Sequence, residues 1–463
     1  MKNEPIYITT TLPYVNSNPH LGFALEIVQA DSFARFKRLQ DFDVFFNFGT
    51  DEHGLKIYRK ALELGKDPQK YVDEYAKKFD GLKKALNLSY NNFIRTTDTH
   101  HIKAAQEFWK KCDLNGDIYK KNYKQRYCVG CELEKTDSEL IDGKCQLHPK
   151  LEIEIIDEEN YFFKFSKYQK PLLDFYLKNP DFIIPDGKFN EIKAFVKEGL
   201  RDFSISRLKS KMPWGIEVPG NPNHVMFVWF DALVNYISAI GWPNKVEEFN
   251  KWWPVIQFAG KDNLRQQTAI WQAMLLSAGL PNSKQVFIHG FITVNGQKIS
   301  KSLGNVIDPL ELVKKYGTDA VRYYLLAKIH PYEDSDFTIE KFEDAFNFDL
   351  ANGLGNLVSR IAKLAESSGF DFDDQVNPKN VYSKERSSAL SEFRFDEVLK
   401  LIWIVDLREL DQYIDHETPW SIQDKDKLRR VLHVAVDGVR LIARELQPFL
   451  PETAEKILAQ FKG

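Results

Sequence analysis

The chain has little cysteine, little net charge and no long apolar run. Four cysteines in 463 residues are too few to staple a disulfide scaffold. Three of them, Cys128, Cys131 and Cys145, fall close together, which points to metal rather than to sulfur–sulfur bonds. A formal net charge of −3 gives no global electrostatic case for nucleic acid, so any such surface has to be a local patch. The most apolar stretch, Val225 to Trp242, contains Asp231 and Asn235 and is too short and too polar to span a bilayer. The first residues run straight into a strand pattern without an apolar signal segment, so a cytoplasmic location is expected. Internal repeats and low-complexity tracts are missing as well.

What is present fits a globular protein. Hydrophobic residues make up 43% and charged residues 28%, unlike a disordered chain. At this length two or more domains are expected. Residues 1–114 alternate strand and helix patterns: a strand over Ile6–Leu12, a helix over Leu21–Arg38, a strand over Val44–Phe48, then helices over Leu55–Leu64 and Pro68–Leu86. Such spacing predicts a parallel sheet with right-handed crossovers. Residues 115–224 change character, with the cysteine cluster, many tyrosines and lysines, and Pro/Gly punctuation from Pro213 to Pro222. The α/β pattern resumes over 225–290. Strands are expected at Val225–Phe230, Val255–Phe258 and Val286–Ile288, and helices at Ala232–Ile240 and Asn263–Ala278. One sheet domain interrupted by an insertion is the simplest reading. No strand pattern remains after Asp336, and residues 345–463 carry apolar positions such as Leu354, Leu357, Val358 and Ile361 at helical spacing, which predicts an all-helical bundle.

Two short motifs carry chemistry. His20-Leu21-Gly22-Phe23 stands where the first strand feeds the first helix, a turn that leaves free N–H groups and a positive dipole end for an anion. His20 can donate to a phosphate oxygen, and Gly22 lets a nucleotide approach the backbone. Lys298-Ile299-Ser300-Lys301-Ser302 lies in a loop between Gly296 and Gly304. Its two lysines can swing onto a triphosphate and stabilise charge on the reacting phosphate and the leaving pyrophosphate. Alone, the first reads more readily as an ordinary helix start, and the second equally well as a solvated basic loop. Together, at strand ends of one split sheet where ligands bind in this architecture, they indicate a nucleoside triphosphate site. Between them, Cys128-x2-Cys131 is followed after thirteen residues by Cys145-x2-His148. Two such pairs suit a closed tetrahedral Zn2+ site, structural and one per chain. Cys112 stands outside the set and is expected to be a buried hydrophobe.

The order of these motifs resembles a class I aminoacyl-tRNA synthetase, and the fuller likeness is to the methionyl-tRNA synthetase family. It covers nearly the whole chain and includes Thr10-Thr11-Leu12-Pro13-Tyr14, Gly49-Thr50-Asp51-Glu52-His53-Gly54, Val228-Trp229-Phe230-Asp231-Ala232-Leu233, Gly260-Lys261-Asp262 and Phe287-Ile288-His289-Gly290-Phe291. The resemblance implies an α/β fold: a Rossmann-like doubly wound parallel sheet split by a zinc-containing connective insertion, followed by an all-α anticodon-binding bundle. The implied domains are the first catalytic half at 1–114, the connective insertion at 115–224, the second half at 225–290, the KISKS loop and stem-contact region at 291–344, and the anticodon-binding domain at 345–463. The implied reaction is ligation of L-methionine to tRNA(Met) through methionyl-adenylate, with ATP and its Mg2+ as substrate and no dedicated protein cage for the magnesium. A monomer with no membrane partner is expected.

Residue roles follow from the resemblance too. His20, Lys298 and Lys301 are implied to be catalytic, and His20, Gly22, Gly260, Asp262, His289, Lys298 and Lys301 to bind ATP, with Asp262 on the ribose. Leu12, Tyr14, Asp51, Trp229, Ala232, Tyr236 and Gln267 fall at methionine-binding positions. There Asp51 can neutralise the substrate ammonium, and aromatic walls suit a polarizable thioether. Asn356 and Arg360, on one helix face, and Trp420 fall where the family reads anticodon bases. Two features depart from the family pattern. Asn263 and Gln267 replace an isoleucine and a histidine, and Phe23 replaces a second histidine. The alternatives are a sister synthetase for another amino acid, which would carry a larger editing insertion or a differently placed zinc, and a zinc-containing tRNA-binding protein without ligase activity.

Overall fold

The fold is that of a computed structural model, which describes residues 3–131, 133–135, 139–299, 304–373 and 381–462. At its centre lies a six-stranded sheet built from β1 (Pro5–Thr10), β2 (Asp43–Thr50), β3 (Asn92–Arg95), β4 (Ile183–Ile184), β5 (Val255–Gly260) and β6 (Gln285–His289), in the order β3-β2-β1-β5-β6-β4. Every pairing is parallel. Strand order reverses between β1 and β5, and in doubly wound sheets the crevice beyond those carboxyl ends is where ligands bind.

The alternation of β1 explains how the sheet is covered. Successive side chains point to opposite faces. Ile6 and Ile8 pack with α1 (Leu21–Leu39) and the helical bundle, while Tyr7 joins the opposite core with Phe108 and Trp271. Further helices that shape the site are α2 (Leu55–Glu63), α3 (Thr99–Leu114), α4 (Val228–Ala232), α5 (Asn235–Ser238) and α6 (Trp271–Ser277). In the bundle, α7 (Asn356–Ser368) and α8 (Arg408–Glu417) flank the long helix Lys425–Leu446.

The structure corrects the sequence reading in several places. The strand expected at Val225–Phe230 is not part of the central sheet. Its extended segment runs Asn221–Met226 and pairs antiparallel with Ser206–Leu208 and Glu217–Val218, and α4 starts two residues later. A short apolar run reads equally as buried strand or buried helix, and here it is both in succession. Strand β4 lies within the range assigned to the insertion, yet it pairs with β6 through Val286 and Phe287. The helix expected over Pro68–Leu86 breaks at Gly81 into Pro68–Asp80 and Leu82–Ala85. Lys298, expected in a loop, lies in the short strand Gln297–Lys298, where it pairs with Thr293.

The insertion is an antiparallel ribbon of Ile118–Cys128 against Glu154–Phe163, which carries the cysteine cluster at its tip. The bundle is anchored by Arg322, which is fully buried. Its Nε donates to the carbonyl of Phe449 at 2.7 Å and its Nη2 to that of Pro448 at 2.9 Å. Nη1 reaches the Leu86 carbonyl at 3.0 Å and Asp31 at 2.8 Å. One guanidinium thus holds the end of the bundle against α1 and the sheet. Among the described residues no helix is long and apolar enough to cross a membrane.

Candidate active site

Beyond β1 and β5, a cavity of about 190 Å³ is lined by His20, Gly22, Gly260, Asp262 and His289, with Thr11 and Glu26. These five residues, expected at the nucleotide, thus share one crevice. Their arrangement depends on Glu26 of α1, which sequence reading missed. Its Oε1 accepts from the Thr11 amide at 2.7 Å and the Thr11 hydroxyl at 2.5 Å, and its Oε2 lies 3.0 Å from His289 Nε2. His289 Nδ1 reaches the Gly290 carbonyl at 2.7 Å. Burial opposes the charged imidazole, but Glu26, the Gly290 carbonyl and Asp262 outweigh it and hold His289 above the usual histidine range. A Cβ at Gly260 would stand 2.9 Å from Asp262 Oδ1, so a side chain there would turn that carboxylate from its present position. Asn263, expected to make the substrate side-chain wall more polar, lines this cavity.

His20 caps α1. Its Nδ1 accepts from the Gly22 amide at 3.1 Å, so the ring proton of the neutral tautomer sits on Nε2. Phe23 stacks on the imidazole with centroids 4.2 Å apart. The free amides expected at this helix start are already used, since Leu21 N–H donates to the Ile307 carbonyl at 3.0 Å and Phe23 N–H to that of His20 at 3.0 Å. Ile299, within the second motif, lines the crevice. Ser300, Lys301 and Ser302 lie outside the described residues.

The expected methionine residues form two adjoining groups. Tyr14 bridges to Asp51 through the backbone and packs with Trp229 and Ala232 against Tyr127 and Phe227. Asp51 is only 6% exposed. In the second group Tyr236 is buried between α6 and the sheet, and burial raises its hydroxyl above the usual range although Gln267, Asn235 and Gln257 contact it, so it stays a neutral donor. Gln267 is oriented by Gln257 of β5, whose Nε2 donates to Gln267 Oε1 at 3.0 Å. Leu12 follows β1, half-buried. Arg207, likewise missed, is buried with its guanidinium 4.2 Å from the Phe227 ring centroid.

At the ribbon tip the ligand atoms of Cys128, Cys131, Cys145 and His148 all lie within 4.8 Å of one another. Cys131 and Cys145 sulfurs are 3.4 Å apart, and His148 Nδ1 is 3.2 Å from Cys131 and 3.8 Å from Cys128. A tetrahedron with metal–sulfur bonds of about 2.3 Å has edges of about 3.8 Å, so spacing and donor set both fit a four-coordinate metal. Gly130 permits it, because a Cβ there would fall 2.5 Å from His148 Cγ. Cys112 is buried elsewhere, its thiol pushed up to about 12 by burial.

In the bundle, Asn356 is exposed and shares α7 with Arg360. Arg360 does not stand free: Nη2 is 2.6 Å from Asp411 and Nη1 3.0 Å from Asp415, both on α8. Trp420 follows in the turn Pro419–Ser421 and is 59% exposed.

A family model described as tRNA synthetases class I (M) matches residues 6–148 and 131–362. The methionine–tRNA ligase of Thermotoga maritima is 43% identical over 97% of this chain and 74% of its own length. The solved Mycobacterium tuberculosis methionyl-tRNA synthetase in complex with methionyl-adenylate superposes with a TM-score of 0.91 at 36% identity, over 98% of this chain and 93% of that one. The apo form of the same synthetase gives 0.84 at 33% identity, over 98% and 91%. This chain belongs to the class I tRNA synthetases of the M type, the methionine–tRNA ligase family.

Proposed function

We propose that this methionine–tRNA ligase performs both half-reactions in the β1/β5 crevice. In the first, a methionine carboxylate oxygen attacks the ATP α-phosphorus in line. The bond to the bridging oxygen breaks, pyrophosphate leaves and methionyl-adenylate forms. Asp51 holds the ammonium, Leu12, Tyr14, Trp229 and Ala232 enclose the side chain, and the neutral Tyr236 hydroxyl and Gln267 supply polar contacts near the sulfur. His20 through Nε2–H, Lys298 and Lys301 stabilise charge on the phosphates, Gly22 and Gly260 let the nucleotide approach, and Asp262 takes the ribose, with His289 held beneath it by Glu26. In the second step a terminal ribose hydroxyl of tRNA attacks the acyl carbon, and AMP leaves. Catalysis is then positioning plus electrostatic stabilisation.

The observation that carries this reading is the single cavity shared by His20, Gly22, Gly260, Asp262 and His289 at the strand reversal. A larger groove of about 690 Å³, lined by His20, Lys56, Arg59, Lys60 and His148 together with Glu63, Glu152 and Glu154, is assigned to the acceptor end of the tRNA, with Arg59 and Lys60 exchanging their exposed pairs with Glu154 and Glu63 for phosphate. Asn356, Arg360 and Trp420 are assigned to the anticodon. Exposed ion pairs are worth about 0–1 kcal/mol, so Arg360 can exchange Asp411 and Asp415 for a base at small cost. Zinc held by Cys128, Cys131, Cys145 and His148 would stiffen the ribbon tip and take no part in the reaction, while magnesium would enter with ATP. The enzyme is proposed to work as a cytoplasmic monomer, checked by sedimentation and fractionation.

ATP–pyrophosphate exchange over a panel of amino acids tests the assignment. Methionine alone is expected to drive it, and Lys301→Ala to cut the rate severely while methionine binding stays nearly unchanged. Exchange with leucine or valine but not methionine would overturn the pocket assignment, and no exchange with tRNA binding intact would favour a binding module.

A further inference from the structure

A buried polar array beneath the proposed methionine site has no part in the chemistry above. Asp231 is fully buried. Its Oδ2 lies 2.7 Å from His53 Nδ1 and its Oδ1 2.8 Å from His101 Nε2. His101 continues the chain, with Nδ1 2.9 Å from the Ser238 hydroxyl. All four residues are at most 5% exposed, and the carboxylate and both imidazoles are engaged with one another. Burial opposes ionisation of Asp231, yet His53 and His101 together hold its carboxyl below the usual range. The array is thus a buried anion between two imidazole donors, an arrangement that is costly to leave half-satisfied.

Its members come from the segments that carry the proposed pocket. His53 follows Asp51 by two residues in the turn after β2. Asp231 sits on α4 between Trp229 and Ala232. Ser238 shares α5 with Tyr236, and His101 belongs to the first turn of α3. On a helix, residues two apart point in nearly opposite directions, so drawing Asp231 inward turns Trp229 outward toward the cleft. Trp229 has no hydrogen bond of its own to fix it, since its indole N–H is buried without a partner. Its placement depends on the helix beneath it, and that helix is fastened by Asp231.

We infer that the His53–Asp231–His101 array is a positioning device for amino-acid recognition, which sets the Trp229 wall on α4 against the Asp51 carboxylate before substrate arrives. The inference rests on the proposed methionine site. Both imidazoles point an N–H at one carboxylate, so an asparagine at 231 can satisfy only one of them. The amide end then faces the other donor, and one wall has to shift.

The test is ATP–pyrophosphate exchange with methionine and ATP varied separately. Misplacement by about 1 Å costs on the order of 10²-fold, so Asp231→Asn is expected to raise the methionine KM by ~10–100-fold while the ATP KM stays within about twofold. His53→Ala is expected to behave likewise. His53→Asn places an N–H close to the Nδ1 position and is expected to restore most of the methionine KM, a rescue that loss of bulk stability would not produce. If Asp231→Asn does not fold, the His53→Ala and His53→Asn pair carries the test. Asp51→Asn is measured beside them. If it raises the methionine KM while Asp231→Asn and His53→Ala do not, or if they raise both KM values together, the positioning role is overturned. If Asp51→Asn leaves the methionine KM unchanged, the site assignment fails and the array loses its target.

Discussion

A single methyl group at Gly130 is expected to open the metal knuckle. An alanine Cβ there would lie 2.5 Å from His148 Cγ, 2.6 Å from Cδ2 and 2.9 Å from Nδ1. Carbon atoms pack at about 3.5–4.0 Å, so the imidazole has to retreat by about 1 Å. Metal–ligand bonds tolerate about 0.2 Å, so His148 either leaves the coordination sphere or drags the backbone between Cys145 and itself. Disturbing the support of a metal ligand costs roughly 10–100-fold in affinity, or about 1.4–2.8 kcal/mol. The assay is zinc per chain after dialysis, followed by competition with a chromogenic chelator. Gly187→Ala is the control, because a Cβ at Gly187 meets nothing within 4 Å. Gly130→Ala protein that keeps one zinc per chain and releases it no faster than the control would refute the packing argument, and with it the claim that His148 completes the site.

Three further outcomes are expected. Arg322→Met removes one of the two guanidinium partners of buried Asp31, which keeps Arg35 and Ser89, and leaves the carbonyls of Leu86, Pro448 and Phe449 without that donor. A buried polar group left unsatisfied costs about 1–3 kcal/mol, read as a lower denaturant midpoint, and an unchanged midpoint would show that the bundle is held elsewhere. Phe23→Ala removes the stack on His20, worth about 0.5–1.5 kcal/mol, and is expected to slow pyrophosphate exchange by roughly 2–10-fold while the methionine KM holds. The third concerns pH. His289 is raised in the folded chain, so its pair with Glu26 stabilises fully below the unfolded histidine value near 6.5 and fades as pH climbs through the folded value. The stability deficit of His289→Gln is expected to be largest at acidic pH and to shrink toward pH 9. A deficit that grows with pH would reverse the sign of the argument.

How much of this was legible depended on how local each signal is. The knuckle could be read because its four donors sit within 128–148 and their spacing encodes the site. Strands β1, β2, β5 and β6 could be read because each is a compact apolar run. The ribbon Ile118–Cys128 was not read, because three lysines, an asparagine and a tyrosine at Lys120–Lys124 give it no clear apolar face. Strand β4 is two residues long and owes its existence to its neighbour β6. The polar framework was least visible. His53 and Asp231 stand 178 residues apart and Glu26 and His289 263, and no periodicity links residues so far separated. His53 and Asp231 do fall inside the conspicuous segments GTDEHG and WFDAL, which are conspicuous partly for what they contribute below the surface.

The helix start at His20 shows how a correct location can go with an incomplete mechanism. A bare helix terminus would bind phosphate through its first amides, but here the Leu21, Gly22 and Phe23 amides are already taken. What remains is the axial dipole and the imidazole. Because Nδ1 accepts from Gly22, Nε2 is left as the protonated nitrogen. A ring flip would put Cδ2 in place of Nδ1 and lose that bond, while the Phe23 stack holds the ring plane. The phenylalanine that looked like a lost phosphate donor thereby becomes the side chain that holds the remaining one. The Leu21 amide adds a mechanical consequence. Its acceptor is Ile307, a few residues beyond the lysine motif, and Ile299 inside that motif lines both the small cavity and the larger groove. The start of α1 and the chain leaving the second motif are therefore tied by a backbone hydrogen bond between Leu21 and Ile307. On the proposed assignment, the neutral imidazole donor and the chain that follows the lysine motif are joined at the edge of the phosphate site.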